Sequence, residues 1–256
     1  MIINLQKLDN KFTDYSENKP FPHIVCDDIL DSEYLGEVER EIFEIKKWDQ
    51  EKTFHGAIKK RIISSYENFP DKTQKLINAL NNKKMLESLE KLTGETSLIP
   101  DPYYEGGGVH STTTGGYLKI HADFNWHKKL KLFRRINLLL YLTKDWKEEY
   151  MGNLEFWKEP FKKAEKIIIP KFGRMVIFTT DDKSFHGHPH PLNCPNNVWR
   201  NSIALYYYSS IKPKKNFSGF RLGTDYVPLK DDKFKRTSKI KKIWGSIKYK
   251  FFPEKF

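Results

Sequence analysis

Apolar residues recur at helical spacing in three segments of the first 98 residues. Asp31 can cap the first helix and Asp71 the second, whereas Gly94 can end the third. Their apolar stripes recur every three or four residues, as a helix packed on a core requires. The stripes are Leu35, Val38, Ile42 and Ile45; Leu76, Ile77 and Leu80; and Met85, Leu86, Leu89 and Leu92.

The pattern changes from about residue 98, where period-two segments and continuous apolar runs alternate with Gly, Pro and Asn clusters. Six strands are predicted, over residues 117–123, 134–143, 153–157, 166–169, 174–180 and 201–209. This spacing predicts a mainly β fold with flanking helices, a barrel or a sandwich. We expect one structural domain: a helical portion over 1–98, a β core over 99–210 and an extension over 211–256.

The net charge of +12 is concentrated in that extension. Residues 211–256 hold fourteen Lys or Arg against four Asp or Glu, whereas residues 1–210 hold 31 against 29. The nearly neutral body argues against a nucleic-acid groove in the main fold.

The two cysteines, Cys26 and Cys194, cannot form a disulfide framework, which favours a cytoplasmic location. No apolar run reaches the roughly 18 residues of a membrane span, and the first residues lack a signal-peptide pattern. We therefore expect a protein that is neither secreted nor membrane-spanning.

One predicted strand carries a His-x-Asp pair. His121 and Asp123 project from the same face of a regular strand, beside Tyr117 and Lys119, whereas Leu118 takes the other face. A second histidine motif begins at His186. Two imidazoles and one carboxylate can bind one face of an octahedral metal and leave three positions open, the arrangement of non-haem Fe(II) oxygenases.

A candidate carboxylate anchor follows on the next strand. Arg200 and Ser202 share one strand face, and a guanidinium beside a hydroxyl can bind a carboxylate. A metal triad followed by such an anchor is the layout that a 2-oxoglutarate site needs. Asn137 and Tyr141 share a strand face and are further candidates for the pocket wall.

These segments, taken in order over about residues 19–210, resemble the Fe(II)/2-oxoglutarate dioxygenases of the prolyl-4-hydroxylase-like group. The similar segments are 19–30, 116–123, 135–146, 151–157, 171–180, the motif at His186, and 200–209. Prolyl hydroxylases proper have Lys where Arg200 stands, and Gly-Gly where this chain has Gly152 and Asn153. Prolyl specificity is therefore left open.

The resemblance implies a double-stranded β-helix, or jelly roll, with catalytic Fe(II) bound by His121, Asp123 and His186. It implies that Arg200 binds 2-oxoglutarate with help from Ser202, and that Asn137 or Tyr141 contacts this co-substrate. O₂ is the second co-substrate, and ascorbate an optional reductant. The expected reaction hydroxylates a protein side chain, prolyl or other, or a small molecule, and releases succinate and CO₂.

Two alternatives stay open at this point. His186, His188 and His190 form a His-x-His-x-His run that could bind zinc, although Pro189 and Pro191 interrupt its regularity. The chain could also be a catalytically inactive jelly-roll module that binds a metal or a ligand.

The basic extension carries one more predicted helix, capped by Thr237 or Ser238. Its apolar stripe is Ile240, Ile243, Trp244, Ile247 and Phe251. We expect this helix either to pack on the body or to bind an anionic surface through its lysines.

Overall fold

Four α-helices lie among the residues that the computed structural model describes, which are 2–11, 14–54, 56–159 and 162–228. Asp31 caps the second helix, since its side chain accepts a hydrogen bond from the Tyr34 amide at 2.8 Å. Gly94 ends the fourth helix in the left-handed conformation, with φ of 71°. Asp71 is the first residue of its helix, and Pro70 takes the cap position instead. The helices are α1 (Leu5–Asp9), α2 (Ser32–Phe43), α3 (Asp71–Asn81) and α4 (Lys83–Thr93).

Thirteen strands form one hydrogen-bonded network within the described residues, and every pair is antiparallel. The mainly β class with flanking helices, predicted from the sequence, is confirmed. The strands are β1 (His23–Cys26), β2 (Gln50–Phe54), β3 (Ala57–Ile63), β4 (Ile99–Pro100), β5 (Gly108–Ala122), β6 (Trp126–His127), β7 (Leu132–Tyr141), β8 (Leu154–Trp157), β9 (Lys166–Ile168), β10 (Met175–Thr179), β11 (Phe185–His188), β12 (Arg200–Ser209) and β13 (Asp225–Tyr226).

The sheet runs in the order β1-β10-β7-β12-β5-β11-β8-β9 and curls on itself. Strand β5 is its centre, because β3, β11, β12 and β13 all pair with it. The short strands β4 and β6 pair with β12 and β7. Side chains from β5 and its partners therefore meet on one inner face.

Helices α2, α3 and α4 pack on the outer face of β7, β10 and β12. Alternate residues of β7, Ile136, Leu138 and Leu140, are fully buried in this main core. The intervening positions Asn137, Leu139 and Tyr141 face the interior of the curled sheet instead. The apolar side of the strand thus fixes which side chains reach the interior.

The hairpin β2–β3 was not predicted, and it lies within the portion expected to be helical. Five charged residues, Glu51, Lys52, Lys59, Lys60 and Arg61, occupy these two strands. Apolar alternation is therefore weak, and only Ala57, Ile62 and Ile63 are buried. The hairpin is held by pairing with β5 along most of β3, a long-range contact that local pattern does not reveal.

Strand β5 departs from the regular alternation assumed in the sequence analysis. His186 pairs with His121, but His188 pairs with Leu118, so β5 advances three residues while β11 advances two. One extra residue reverses the alternation. Leu118 consequently shares the inner face with His121, and the prediction that Tyr117 and Lys119 flank the pair there is wrong.

The first part of the basic extension packs on the β core. Asp225 and Tyr226 pair with β5, and Val227 is fully buried in a cluster with Ile120, Trp157 and others. The helix predicted around Ile240 lies outside the described residues. Within them, every helix is too short or too polar to cross a membrane.

Replacing Val227 tests whether this segment is part of the folded core. Val227→Asp puts an unpaired carboxylate into an apolar cluster and should lower the free energy of unfolding by about 3 kcal/mol or more. Chemical denaturation measures the change. Ile211→Asp, at an exposed position of the same segment, is the matched control and should change stability by less than about 0.5 kcal/mol. Equal effects of the two substitutions would contradict this packing.

Candidate active site

Three side chains from two paired strands converge inside the curled sheet. His121 lies on β5 and Asp123 directly after it, while His186 lies on β11 opposite His121. One ligand atom from each residue lies within 4.8 Å of the others, and all three residues are buried. Each imidazole Nε2 faces the carboxylate of Asp123, His121 at 3.5 Å and His186 at 3.4 Å.

Backbone hydrogen bonds fix the tautomer of both imidazoles. His121 Nδ1 lies 2.7 Å from the carbonyl of Lys119, and His186 Nδ1 lies 2.9 Å from that of Ser184. A carbonyl only accepts, so each Nδ1 carries the proton and donates it. Burial and the neighbouring His121 lower the pKa of His186 to about 3, so this ring is neutral at pH 7. Its Nε2 therefore presents a free lone pair.

Asp123 is held ionised by two donors at one of its oxygens. Arg134 Nη2 and Asn137 Nδ2 both donate to Oδ2 at 2.8 Å. Burial alone would raise the pKa of Asp123, but the Arg134 guanidinium outweighs it and holds that pKa well below its usual range. Oδ1 is left with free lone pairs toward His121.

Whenever both rings are neutral, their Nε2 lone pairs face an ionised carboxylate, and this arrangement is repulsive unless a cation lies between them. The donor set, two nitrogens and one oxygen, is that of a facial triad for Fe(II). The three residues therefore fit a divalent metal, and the polarity fixed by the backbone carbonyls is what such a metal requires.

Sequence reasoning missed Arg134, which is 1% exposed. Its Nε donates to Asn137 Oδ1 at 2.9 Å, and its guanidinium carbon lies 3.4 Å from the ring centroid of Tyr206. A register shift opposite Tyr207 and Tyr208 places Arg134 rather than Arg135 on the inner face. Strict alternation from Asn137 predicts that Arg135 faces inward. The sequence pattern therefore does not indicate Arg134.

Arg200 is a second buried cation in the pocket. Its Nε donates to the Gly152 carbonyl at 2.7 Å, and its Nη2 lies 3.4 Å from the Tyr141 hydroxyl. No carboxylate among the described residues pairs with it, and burial lowers the pKa of its guanidinium. A buried guanidinium without a counter-charge fits a carboxylate ligand.

The remaining predicted residues divide between the pocket and its surroundings. Ser202 and Tyr141 line the pocket beside Arg200, and Asn137 lines it while bound to Asp123. His188 also lines the pocket, but its ring is not part of the three-residue group. His190 is exposed and lies 3.4 Å from Glu155 outside it. The structure thus does not bring the His-x-His-x-His run to one point.

Residues 107–208 match the family model of the 2OG-Fe(II) oxygenase superfamily. This segment of the chain is similar to the 2OG-Fe(II) oxygenases. This match contains both sequence motifs, and it supports a dioxygenase, the enzyme class predicted from the sequence. The family implies Fe(II), 2-oxoglutarate and O₂. No curated protein matches the chain in a sequence comparison.

Solved structures similar to this chain share its fold, a double-stranded β-helix. A prolyl hydroxylase from Trichoplax adhaerens, in complex with a peptide of hypoxia inducible factor, is 17% identical, with a TM-score of 0.56 over 80% of this chain and 90% of that one. A prolyl-4-hydroxylase from Pseudomonas putida is 12% identical, with a TM-score of 0.55 over 78% and 98%. HygX from Streptomyces hygroscopicus, with nickel, 2-oxoglutarate and hygromycin B bound, is 12% identical, with a TM-score of 0.51 over 80% and 93%.

Removing Arg134 should destabilise the oxygenase in its metal-free form. Arg134→Met leaves the Asp123 carboxylate buried without its partner and should lower the free energy of unfolding by about 3–5 kcal/mol. Urea denaturation with a chelator present measures the loss. The double variant Arg134→Met/Asp123→Asn removes both charges and should recover part of the stability. A single variant within about 1 kcal/mol of the unchanged protein would contradict this role.

Proposed function

We propose that the chain is an Fe(II)- and 2-oxoglutarate-dependent hydroxylase whose iron ligands are His121, Asp123 and His186. The observation that carries the proposal is the fixed polarity of the site, with two Nε2 lone pairs directed at an ionised carboxylate. When bound, Fe(II) supplies the O₂ chemistry that hydroxylates a substrate and converts 2-oxoglutarate to succinate and CO₂. Ascorbate as a reductant and a cytoplasmic location stay predictions.

The residues of the chain supply geometry and charge. The carbonyls of Lys119 and Ser184 hold the two imidazoles in their ligating tautomer. Arg134 and Asn137 hold the Asp123 carboxylate in one orientation. Asn137 is therefore a positioning residue, and we assign it to Asp123 rather than to 2-oxoglutarate.

Arg200 is the proposed receptor for the distal carboxylate of 2-oxoglutarate. Its hydrogen bond to Gly152 fixes the guanidinium, and the hydroxyls of Tyr141 and Ser202 line the same part of the pocket. Lys119 on β5 is not among the lining residues. The buried, uncompensated charge of Arg200 supports this assignment.

The substrate class is left open by the fold. The similar structures include one enzyme with a peptide bound and one with hygromycin B bound, so both peptides and small molecules are compatible with this fold. The inactive-module alternative predicts no succinate formation with any substrate. Release of succinate from 2-oxoglutarate, with Fe(II) and air, separates the two functions.

Each iron ligand should be essential for turnover. His121→Ala, Asp123→Ala and His186→Ala should each abolish succinate formation, since each removes a metal ligand. The two histidine variants should leave the fold intact by circular dichroism, whereas Asp123→Ala also leaves Arg134 buried without its partner and should lower stability. His190→Ala, which removes an exposed histidine of the same motif, is the matched control and should retain turnover. If the His186→Ala protein turns over and the His188→Ala protein does not, the third metal ligand is His188 and the assignment of His186 is wrong.

Arg200→Met should weaken the binding of 2-oxoglutarate and leave metal binding unchanged. The apparent Michaelis constant for 2-oxoglutarate should rise roughly 10- to 150-fold, because a buried carboxylate loses a charge-assisted hydrogen bond. The matched control is Arg61→Met, on the outer face of β3, where Arg61 lies 3.8 Å from Glu51. An unchanged constant in Arg200→Met would place the anchor elsewhere.

A further inference from the structure

The pocket around the proposed iron site contains more positive charge than the proposed reaction uses. Its described lining includes four Lys and Arg side chains, Lys52, Lys60, Arg134 and Arg200, but a single carboxylate, that of Asp123. Arg134 pairs with Asp123, and Arg200 is assigned to 2-oxoglutarate. One carboxylate of the 2-oxoglutarate dianion pairs with Arg200, and the other offsets only part of the charge of Fe(II). Lys52 and Lys60 are left without a counter-charge.

These two lysines are cross-strand neighbours in the hairpin β2–β3. Lys52 pairs directly with Lys60, so both side chains leave the hairpin on the same face, toward the pocket. Neither ammonium has an ion-pair or hydrogen-bond partner among the described residues. Like charges directly opposite on a hairpin destabilise it. The adjacent pair on the outer face, Glu51 and Arg61, has opposite charges instead.

The surroundings of Lys60 increase the cost of its charge. Burial and the nearby ammonium of Lys52 lower the pKa of Lys60 to about 7, with Arg200 acting in the same direction. Asp123 is the carboxylate that acts on Lys60, but its Oδ2 is already bound by Arg134 and Asn137. An anion placed between the two lysines would remove this penalty.

A buried histidine adds a polar group to the same part of the pocket. His110 is 7% exposed and lines the pocket, and its Nε2 has no hydrogen-bond partner within the described chain. His110 lies two residues from Thr112, the cross-strand partner of Lys60, so their side chains leave the sheet close together. The backbone carbonyls of Gly106 and Gly107 accept the Nδ1 proton, so the unpaired Nε2 is an acceptor that a hydroxyl of a ligand would satisfy.

This cluster is separate from the proposed 2-oxoglutarate anchor. Thr112 on β5 pairs with Lys60 on one side and with Arg200 on the other. The two cations therefore leave strands that lie two strand spacings, roughly 10 Å, apart. That distance allows one anion at each cation.

We propose that Lys52 and Lys60 form an anion subsite for the substrate, with His110 Nε2 as an acceptor for a hydroxyl beside that anion, and that the substrate carries a phosphate or carboxylate group near the hydroxylated carbon. The inference rests on the proposed function, because it assigns Arg200 to 2-oxoglutarate. Ammonium groups bind either anion as point charges and select neither by geometry. The phosphate and carboxylate sources are therefore separated by experiment.

Methyl phosphate and acetate are suitable probes for the subsite. The full chain is loaded with Mn(II) in place of Fe(II) and with saturating 2-oxoglutarate, so that no turnover occurs and Arg200 is occupied. Paramagnetic broadening of the ³¹P signal of methyl phosphate, or of the acetate methyl protons, reports binding near the metal. Chemical-shift titration without metal gives the affinity directly.

With the unchanged protein, the NMR signal of at least one probe should broaden, and the effect should saturate as the probe concentration rises. Lys52→Met and Lys60→Met should each lower the affinity for that probe about tenfold or more, because each removes one charge-assisted partner of the anion. Lys60→Arg keeps the charge and should retain binding. Lys59→Met, an exposed lysine of the same strand, is the matched control and should bind the probe as the unchanged protein does.

Three results would overturn the inference. The first is an unchanged protein that binds neither probe. The second is probe binding that persists in Lys52→Met and Lys60→Met. The third is a Lys60→Met protein that loses 2-oxoglutarate affinity as Arg200→Met does, since Lys60 would then serve the co-substrate. A protein that holds neither Mn(II) nor 2-oxoglutarate would instead refute the proposed function, which the metal-free titration distinguishes from loss of the anion subsite.

Discussion

The buried ion pair between Arg134 and Asp123 is the interaction on which the site depends. A carboxylate in a water-poor pocket loses its charge unless something compensates it, and a protonated Asp123 is a poor metal ligand. Arg134 lies 2.8 Å from that carboxylate and Asn137 connects the two residues. Arg134 itself is stabilised by the face of Tyr206. The fold thus keeps the Asp123 carboxylate ionised in the absence of a metal.

Strand β5 holds the site together, because the strands that pair with it carry the other functional residues, His186 on β11 and Arg200 on β12. The pairing of His186 with His121 fixes the distance between the two imidazoles. The irregularity that follows requires a close approach of β11 to β5 at Gly187, where a Cβ would lie 2.7 Å from the carbonyls of Leu118 and Lys119. Glycine between the two histidines is therefore a packing requirement, and it lets His186 and His188 occupy different parts of the pocket.

The parts of the site that the sequence predicts are those set by local spacing. His121 and Asp123 are two residues apart, and Arg200 and Ser202 repeat that spacing on β12, so the alternation of a strand brings each pair to one face. Arg134 and Lys60 could not be found in this way. Arg134 reaches the pocket through a register shift, and Lys60 through a hairpin whose charges conceal its strand pattern. Both depend on long-range pairing, which a single sequence does not encode as periodicity.

The two kinds of cation in the pocket differ in how firmly they are held. The Arg200 guanidinium is bound to the Gly152 carbonyl and packs on Tyr141, so it offers a preorganised fork to a ligand of fixed shape. The lysines of β2–β3 are flexible point charges on a hairpin whose backbone pairs with the core through β3. The firmly held cation thus lies on the side of the pocket assigned to 2-oxoglutarate. This co-substrate is the same in every turnover. The adaptable charges lie on the side where a substrate must be recognised, and changes in this hairpin could alter specificity without disturbing the metal ligands.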